Sequence, residues 1–133
     1  MSEADAVRKP VRKKVLVVDD EALIRELGQA TLDRHPALDA LVASDGPSAI
    51  EICRTAHPEL VFLDVMMPGM DGYDVCRAIK ADPATADIKV VVLTAFAQHS
   101  TMHKALEAGA DGYMTKPFRP AQLLARALEL LGV

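Results

Sequence analysis

The segment Lys14–Glu21, with the sequence KVLVVDDE, decides the fold. Its four consecutive apolar residues, Val15–Val18, are followed at once by Asp19, Asp20 and Glu21. An uninterrupted, valine-rich run predicts a parallel β-strand that is covered on both faces. Neighbouring carboxylates repel each other by roughly 4 kcal/mol per pair at 4 Å and an effective dielectric near 20. Acids that follow a buried strand therefore either lie in water or share a partner of opposite charge.

The rest of the chain alternates short β-branched runs with amphipathic stretches. The predicted strands are Val15–Val18, Leu41–Ala43, Leu60–Leu63, Val90–Leu93 and Gly112–Met114. The predicted helices, several of which have proline, aspartate or glycine signals at their ends, are Glu21–Arg34, Pro47–Ala56, Asp71–Lys80, residues 99–108 and Pro120–Leu131. Five βα units joined by short connections predict a doubly wound α/β sheet with helices on both faces.

Composition and charge narrow the class of protein. Half of the 133 residues are hydrophobic, which is enough for one domain with a real core. Residues 1–14 carry a net charge of +3 and the remainder −7, so we expect a solvated basic tail over residues 1–13 and a domain over residues 14–133. An acidic domain disfavours direct nucleic-acid binding. No apolar run approaches the roughly 20 residues of a membrane helix, so we expect a cytoplasmic protein without membrane contact.

Four of the five predicted strands deliver a charged or hydroxyl-bearing residue at their ends. Asp19 and Asp20 follow the first strand, Asp64 the third, Thr94 the fourth and Lys116 the fifth. Ligands of doubly wound sheets bind beyond the carboxyl ends of the strands, so we expect these side chains to share one crevice. Carboxylates suit Mg²⁺, and a cation, an ammonium and a hydroxyl together suit the oxygens of a phosphoryl group. One aspartate can then act as the nucleophile.

Each of these residues alone has a plainer interpretation. Asp19 and Glu21 fit a helix cap and a first helical turn. Thr94 fits an ordinary strand end, Lys116 a surface lysine, and Tyr113 a half-buried packing residue. Only the joint pattern favours a functional site over these interpretations.

Four segments, VLVVDDE, LVFLDVMMPGMDG, VVVLTA and AGADGYMTKPF, occur in this order within residues 14–131. Asp64 and Thr94 are 30 residues apart, and Thr94 and Lys116 are 22 apart. With these segments and spacings the chain resembles the response-regulator receiver domains, including the single-domain chemotaxis regulators. The resemblance implies a (βα)5 flavodoxin-like three-layer sandwich, whose five parallel strands have the order 2-1-3-4-5.

The resemblance also implies a role for individual residues. Asp64 would accept a phosphoryl group, and Thr94 and Lys116 would contact the phosphoryl oxygens. Mg²⁺ would be held by the carboxylates and one backbone carbonyl of a set of four residues, Asp19, Asp20, Asp64 and Met66.

Further positions match the switch and the entrance of such a site. Tyr113 would turn inward as Thr94 moves, Ala95 would keep access to the acceptor, and Lys116–Pro117 is a candidate for a cis peptide bond. Met66 and Phe96, each two residues beyond a site residue, would flank the entrance. Both are bulky and apolar and orient water poorly, which leads to the hypothesis of a long-lived phosphoaspartate.

A receiver implies partners rather than an external substrate. The phosphoryl donor would be a histidine kinase or a phosphotransfer protein, and the domain would catalyse only its own phosphorylation and dephosphorylation. The surface of the fourth helix, fifth strand and fifth helix would then bind an unknown downstream protein or output domain. The sequence ends soon after the fifth predicted helix, so we expect either a stand-alone receiver or the receiver of a longer protein.

Three other functions compete with this one. A degenerate receiver would act as a phosphorylation-independent interaction module, which the intact acids, threonine and lysine disfavour. A Mg²⁺-dependent phosphatase with an aspartyl nucleophile would need a DxD motif and a cap insertion, whereas this chain has DDE and no cap. A flavodoxin-like cofactor binder would need a phosphate-binding loop after the first strand, and none follows Val18. Cys53 and Cys76 lack any metal-ligand pattern and are expected to be small buried hydrophobic residues.

Overall fold

The computed structural model describes residues 12–95 and 98–133. Five strands are present in this part of the chain: β1 (Lys13–Val18), β2 (Leu38–Ala43), β3 (Leu60–Asp64), β4 (Lys89–Thr94) and β5 (Gly112–Thr115). Five helices follow them in alternation: α1 (Ala22–Asp33), α2 (Gly46–Ala56), α3 (Gly72–Ala81), α4 (His99–Glu107) and α5 (Pro120–Leu131). Most of the predicted basic tail, residues 1–11, lies outside the described residues, while Lys13 already belongs to β1.

The strands form one parallel sheet with the order β2-β1-β3-β4-β5, which confirms the predicted fold. The register pairs Val18 of β1 with Leu63 of β3, so the next residues, Asp19 and Asp64, lie at the same level of the sheet. Thr94 of β4 pairs with Thr115 of β5. The strand ends that carry the predicted site residues therefore meet at one edge of the sheet.

Alternating side chains of the central strands build a separate core on each face. On one face, β-strand residues pack against α1 and α5 in a cluster that includes Val15, Val17, Phe62, Leu32, Leu123 and Ala127. On the other face they pack against α2 and α3 in a cluster that includes Leu16, Val18, Val61, Cys53, Cys76 and Ile79. Both clusters are buried, which makes the three-layer sandwich and explains why Val15–Val18 of β1 are apolar at every position.

The predicted start of the second strand was wrong by three residues, since β2 begins at Leu38 rather than at Leu41. Leu38 and Ala40 are buried, and Asp39 stands between them. β2 pairs only with β1 and lies at the edge of the sheet, where alternation of buried and partly exposed residues replaces a continuous apolar run. The acid at position 39 hid that alternation in the sequence.

Cys53 and Cys76 are fully buried, as predicted. Burial raises the pKa of each thiol to about 11, so both pack as neutral side chains. The longest helices among the described residues, α1 and α5, have 12 residues each. Across residues 12–95 and 98–133, none of the helices has the length and apolar character needed to cross a membrane.

Candidate functional site

Asp19, at the carboxyl edge of the sheet, accepts hydrogen bonds at both its side chain and its main-chain carbonyl. Its side chain is fully buried, and the Lys116 Nζ donates to its Oδ2 at 2.6 Å. The Glu21 backbone N–H donates to its Oδ1 at 3.0 Å, and the Arg25 guanidinium donates to its main-chain carbonyl at 2.8 Å. The protein alone therefore fixes the orientation of this carboxylate.

Asp64 ends β3 one strand away and is 3% exposed. Its Oδ1 lies 3.2 Å from the Lys116 Nζ and accepts the Met66 backbone N–H at 3.3 Å. Burial, together with the negative charge of Asp19, raises the pKa of Asp64, while Lys116 and the Met66 N–H oppose that rise. Ionisation of Asp64 therefore costs free energy in the folded protein, and a nearby cation such as Lys116 favours the ionised form.

Lys116 brings these two acids together. It follows β5, its backbone N–H donates to the Thr94 carbonyl at 2.7 Å, and its peptide bond to Pro117 is cis. Burial works to lower the pKa of the ammonium, but the hydrogen bond and charge of Asp19 and the charge of Asp64 raise that pKa overall. One lysine, 18% exposed, thus bridges carboxylates from β1 and β3.

The acids after β1 form a second feature of the same edge. Asp19, Asp20 and Glu21 each offer a carboxylate oxygen, and these oxygens lie within 4.8 Å of one another. Such an all-oxygen donor set fits a hard divalent cation such as Mg²⁺. Among the described residues Asp64 does not join this group, whereas Glu21, interpreted from the sequence only as a helix-cap or first-turn acid, does. The signal that marked Glu21 was its place in the run DDE.

The other predicted site residues differ in their exposure. Thr94 is buried at the end of β4, while Met66 is 69% exposed and Ala95 is exposed. Tyr113 is half-buried in β5, where it packs beside the small apolar cluster of Val65, Val92 and Ala105. The predicted entrance residue Phe96 lies outside the described residues.

Gly72, which has no role in the sequence-based prediction, lies against the backbone of Asp64 and Val65. A Cβ at Gly72 would lie 2.3 Å from the Asp64 carbonyl oxygen and 2.7 Å from the Val65 Cα. The Gly72 N–H donates to the Val65 carbonyl at 3.1 Å, and Asp71 caps α3 by accepting the Asp74 N–H at 2.9 Å. Only a glycine lets the start of α3 approach the acid-bearing end of β3 this closely.

The family model described as the response regulator receiver domain matches residues 15–128. The chain belongs to this family. The DNA-binding response regulator MtrA of Mycobacterium tuberculosis is 42% identical to it over 116 residues, which are 87% of this chain and 49% of that protein. The chain thus spans about half the length of the curated relatives it matches.

Solved structures show the same receiver architecture. The chemotaxis protein CheY4 of Vibrio cholerae matches with a TM-score of 0.85 and 28% identity, over 90% of this chain and 99% of that one. The response regulator DrrB of Thermotoga maritima, described as an OmpR/PhoB homolog, matches with a TM-score of 0.82 and 33% identity, over 92% of this chain and 54% of that one. The chain is therefore a receiver domain of the kind found in two-component response regulators.

Proposed function

We propose that this receiver accepts a phosphoryl group on Asp64 from the phosphohistidine of a histidine kinase or a phosphotransfer protein. The observation that carries the proposal is the single ammonium of Lys116, which lies 2.6 Å from Asp19 and 3.2 Å from Asp64. Two buried carboxylates that share one cation form a site with excess negative charge. A Mg²⁺ ion can balance that excess and offset the charge of an incoming phosphoryl group.

The contacts of Asp64 indicate which oxygen reacts. Both Lys116 and the Met66 N–H lie against Oδ1, and no donor among residues 12–95 and 98–133 contacts Oδ2. We therefore assign Oδ2 as the nucleophile. A P–O bond forms to Oδ2 while the P–N bond of the phosphohistidine breaks, and the bonding electron pair returns to the donor imidazole.

The acids after β1 would supply the metal site of this reaction. We propose that Asp19, Asp20, Asp64 and the Met66 carbonyl hold Mg²⁺, with Glu21 beside them as the additional acid of the cluster. When bound, the ion would neutralise charge on the phosphoryl oxygens. Lys116 would contact one phosphoryl oxygen, and the Thr94 hydroxyl would donate to another.

The output would be carried by the face that contains Tyr113. Thr94 and Tyr113 lie on adjacent strands, and Tyr113 packs beside Ala105 of α4. We propose that recruitment of Thr94 to the phosphate repositions Tyr113 and changes the α4–β5–α5 surface for a downstream protein or output domain. The net charge of −7 on residues 15–133 supports a protein partner here rather than direct nucleic-acid contact.

Intact-mass measurement after incubation with acetyl phosphate and Mg²⁺ tests the acceptor. We expect an adduct of about 80 Da, one phosphoryl group, on the wild type and none on Asp64→Asn. Asp87→Asn, an exposed acid at the opposite edge of the sheet, serves as the matched control and should label like the wild type. Equal labelling of Asp64→Asn would overturn the assignment, and an unlabelled wild type would favour the phosphorylation-independent interaction module.

The exposure of Met66 makes the lifetime of the adduct testable. Its apolar side chain extends into solvent beside the acceptor and cannot orient a hydrolytic water. Met66→Asn should shorten the half-life of the adduct, measured by mass after removal of acetyl phosphate. Leu106→Asn, the same kind of change at an exposed residue of α4, should leave it unchanged. An equal or longer half-life in Met66→Asn would contradict the hypothesis.

A further inference from the structure

Arg25 makes a contact that the proposed phosphoryl transfer does not use directly. It lies in the first turns of α1, where its backbone N–H donates to the Glu21 carbonyl at 3.2 Å. Its guanidinium reaches back to the preceding turn and donates to the main-chain carbonyl of Asp19 at 2.8 Å. A charge-assisted hydrogen bond of this kind is about twice as strong as one between neutral groups.

The charge of Arg25 has no other evident purpose. Among the described residues it forms no ion pair with a carboxylate, although Asp20 and Glu21 are close in sequence and Glu26 is adjacent. The side chain is also half-buried rather than extended into solvent. A guanidinium that donates to a backbone carbonyl, instead of pairing with nearby acids, restrains the conformation of that backbone.

The carbonyl that Arg25 holds belongs to the peptide unit between Asp19 and Asp20. A peptide unit is planar, so fixing its carbonyl oxygen also fixes the direction in which the chain enters Asp20. The backbone of Asp20 then leaves the turn in a set direction relative to Asp19. Lys116 and the Glu21 N–H hold the Asp19 side chain, but no hydrogen bond in the described residues holds the exposed Asp20 side chain. Its placement depends on the turn itself.

We propose that Arg25 is a positioning residue that organises the turn from Asp19 to Glu21 for binding of a divalent cation. It acts through the Asp19 carbonyl and not by contact with the ion or the phosphoryl group. The inference rests on the proposed Mg²⁺-dependent function, but it concerns metal affinity and is measurable without phosphorylation.

Calorimetric titration of the full chain with MgCl₂ separates positioning from electrostatics. Removing a positive charge beside an acidic site strengthens cation binding if the guanidinium acts only through its charge. Loss of a residue that orients metal ligands weakens binding, typically by tenfold or more. We expect about tenfold weaker Mg²⁺ binding in Arg25→Gln, and a value between those of wild type and Arg25→Gln in Arg25→Lys, which retains the charge and a donor.

A matched control is available on α3. Arg77→Gln makes the same chemical change at an exposed arginine that pairs with Asp74, and its Mg²⁺ affinity should equal that of the wild type. Thermal unfolding in EDTA should show Arg25→Gln and wild type both fully folded at the titration temperature. Unchanged or tighter Mg²⁺ binding in Arg25→Gln would overturn the proposal, as would an affinity of Arg25→Lys no better than that of Arg25→Gln.

Labelling rates provide a second readout. With acetyl phosphate, Arg25→Gln should need about tenfold more Mg²⁺ for half-maximal labelling, yet reach within about twofold of the wild-type rate at saturation, because a positioning defect is overcome by ligand concentration. A lower saturated rate with unchanged Mg²⁺ dependence would contradict it. If the wild type binds Mg²⁺ but takes up no phosphoryl group, the proposed function fails while the role of Arg25 stands on the titration.

Discussion

The two edges of the sheet use charge in opposite ways. At the amino edge the side-chain pairs are one-to-one and exposed: Lys13 forms an ion pair with Glu59 at 3.5 Å, and the His57 imidazole forms a hydrogen bond with Asp87 at 3.1 Å. Lysines there also stabilise the end of α5, since Lys13 and Lys89 donate to carbonyls of its last turn. Each of these groups has its own protein partner, which is the arrangement expected of a stabilising surface.

At the carboxyl edge two buried acids share one lysine, and two more acids lie beside them. Such a concentration of like charge disfavours folding, so stability does not account for the arrangement of this edge. The excess negative charge of this edge is consistent with the proposed Mg²⁺ site, where a bound cation would offset it.

Packing at the carboxyl edge should tolerate no added atom at Gly72. Gly72→Ala places a Cβ against the backbone of Asp64 and Val65, where no flexible side chain can yield. We expect a loss of about 3 kcal/mol in the free energy of unfolding, measured in urea. Gly69→Ala is the control, because a Cβ there meets open space and costs only the strain of its positive φ, about 1 kcal/mol. Equal losses in Gly72→Ala and Gly69→Ala would show that a Cβ at Gly72 fits against the backbone of Asp64 and Val65.

Removing the shared ammonium should destabilise the protein strongly when Mg²⁺ is absent. Lys116→Met leaves Asp19 buried and unpaired, and we expect a loss of about 2 kcal/mol in EDTA, below the value for a fully buried pair because Lys116 keeps some contact with water. Despite the opposing effect of burial, the two acids raise the pKa of Lys116. Its contribution should therefore be complete below about pH 10.4 and vanish as the pH rises through the folded-state pKa.

The same change at the amino edge is the comparison for Lys116. Lys89→Met removes one donor from the last turn of α5 and leaves no acid buried. Its loss should stay below about 1 kcal/mol. A loss in Lys89→Met that equals that of Lys116→Met would remove the contrast between the edges.

Asp64→Asn should stabilise the protein, although it abolishes the proposed function. Burial and the charge of Asp19 raise the pKa of Asp64, so its ionised form disfavours folding. We expect a gain of about 1 kcal/mol at pH 7 in EDTA. The sign follows from the raised pKa: the cost of ionisation exists above the folded-state pKa and disappears as the pH falls below the unfolded value of about 3.9. The gain should therefore shrink on acidification, and one that grows would show that Lys116 outweighs both causes.

Breaking an exposed pair at the amino edge should have the smallest effect. Glu59→Gln removes the partner of Lys13, and we expect a change of about 0.3 kcal/mol that disappears in 1 M salt. Urea unfolding at low and high salt measures it. A salt-insensitive loss above about 1 kcal/mol would mean that this edge too depends on buried charge.

The sequence was enough to predict the fold and which charged residues follow the strand ends. It did not predict the distances between their side chains. Continuous apolar runs such as Val15–Val18 identified the central strands, because a strand covered on both faces has no polar positions. The start of the edge strand β2 was predicted three residues too far along the chain, because Asp39 interrupts its apolar pattern. Local periodicity carries no information about which strands become neighbours, so the sharing of Lys116 by Asp19 and Asp64 required the strand order.

Other features had no reliable signal in the sequence. Gly72 occurs in an ordinary helix-start context, and its close approach to Asp64 depends on how α3 packs against β3. Arg25 looks like any polar residue of an amphipathic helix, and its contact with the Asp19 carbonyl depends on a side chain that folds backward. Such contacts arise between elements, where sequence spacing gives no distance.

The ion pair of Lys116 with Asp19 joins positions 97 residues apart. During synthesis from the amino end, Asp19 and Asp64 leave the ribosome long before the lysine that bridges them. Asp19 and Asp64 therefore acquire this counter-charge only after the fifth strand, β5, has formed and Lys116 has followed it. Under the proposed function, the receiver can take up a phosphoryl group only after the chain as far as Lys116 has been made and folded.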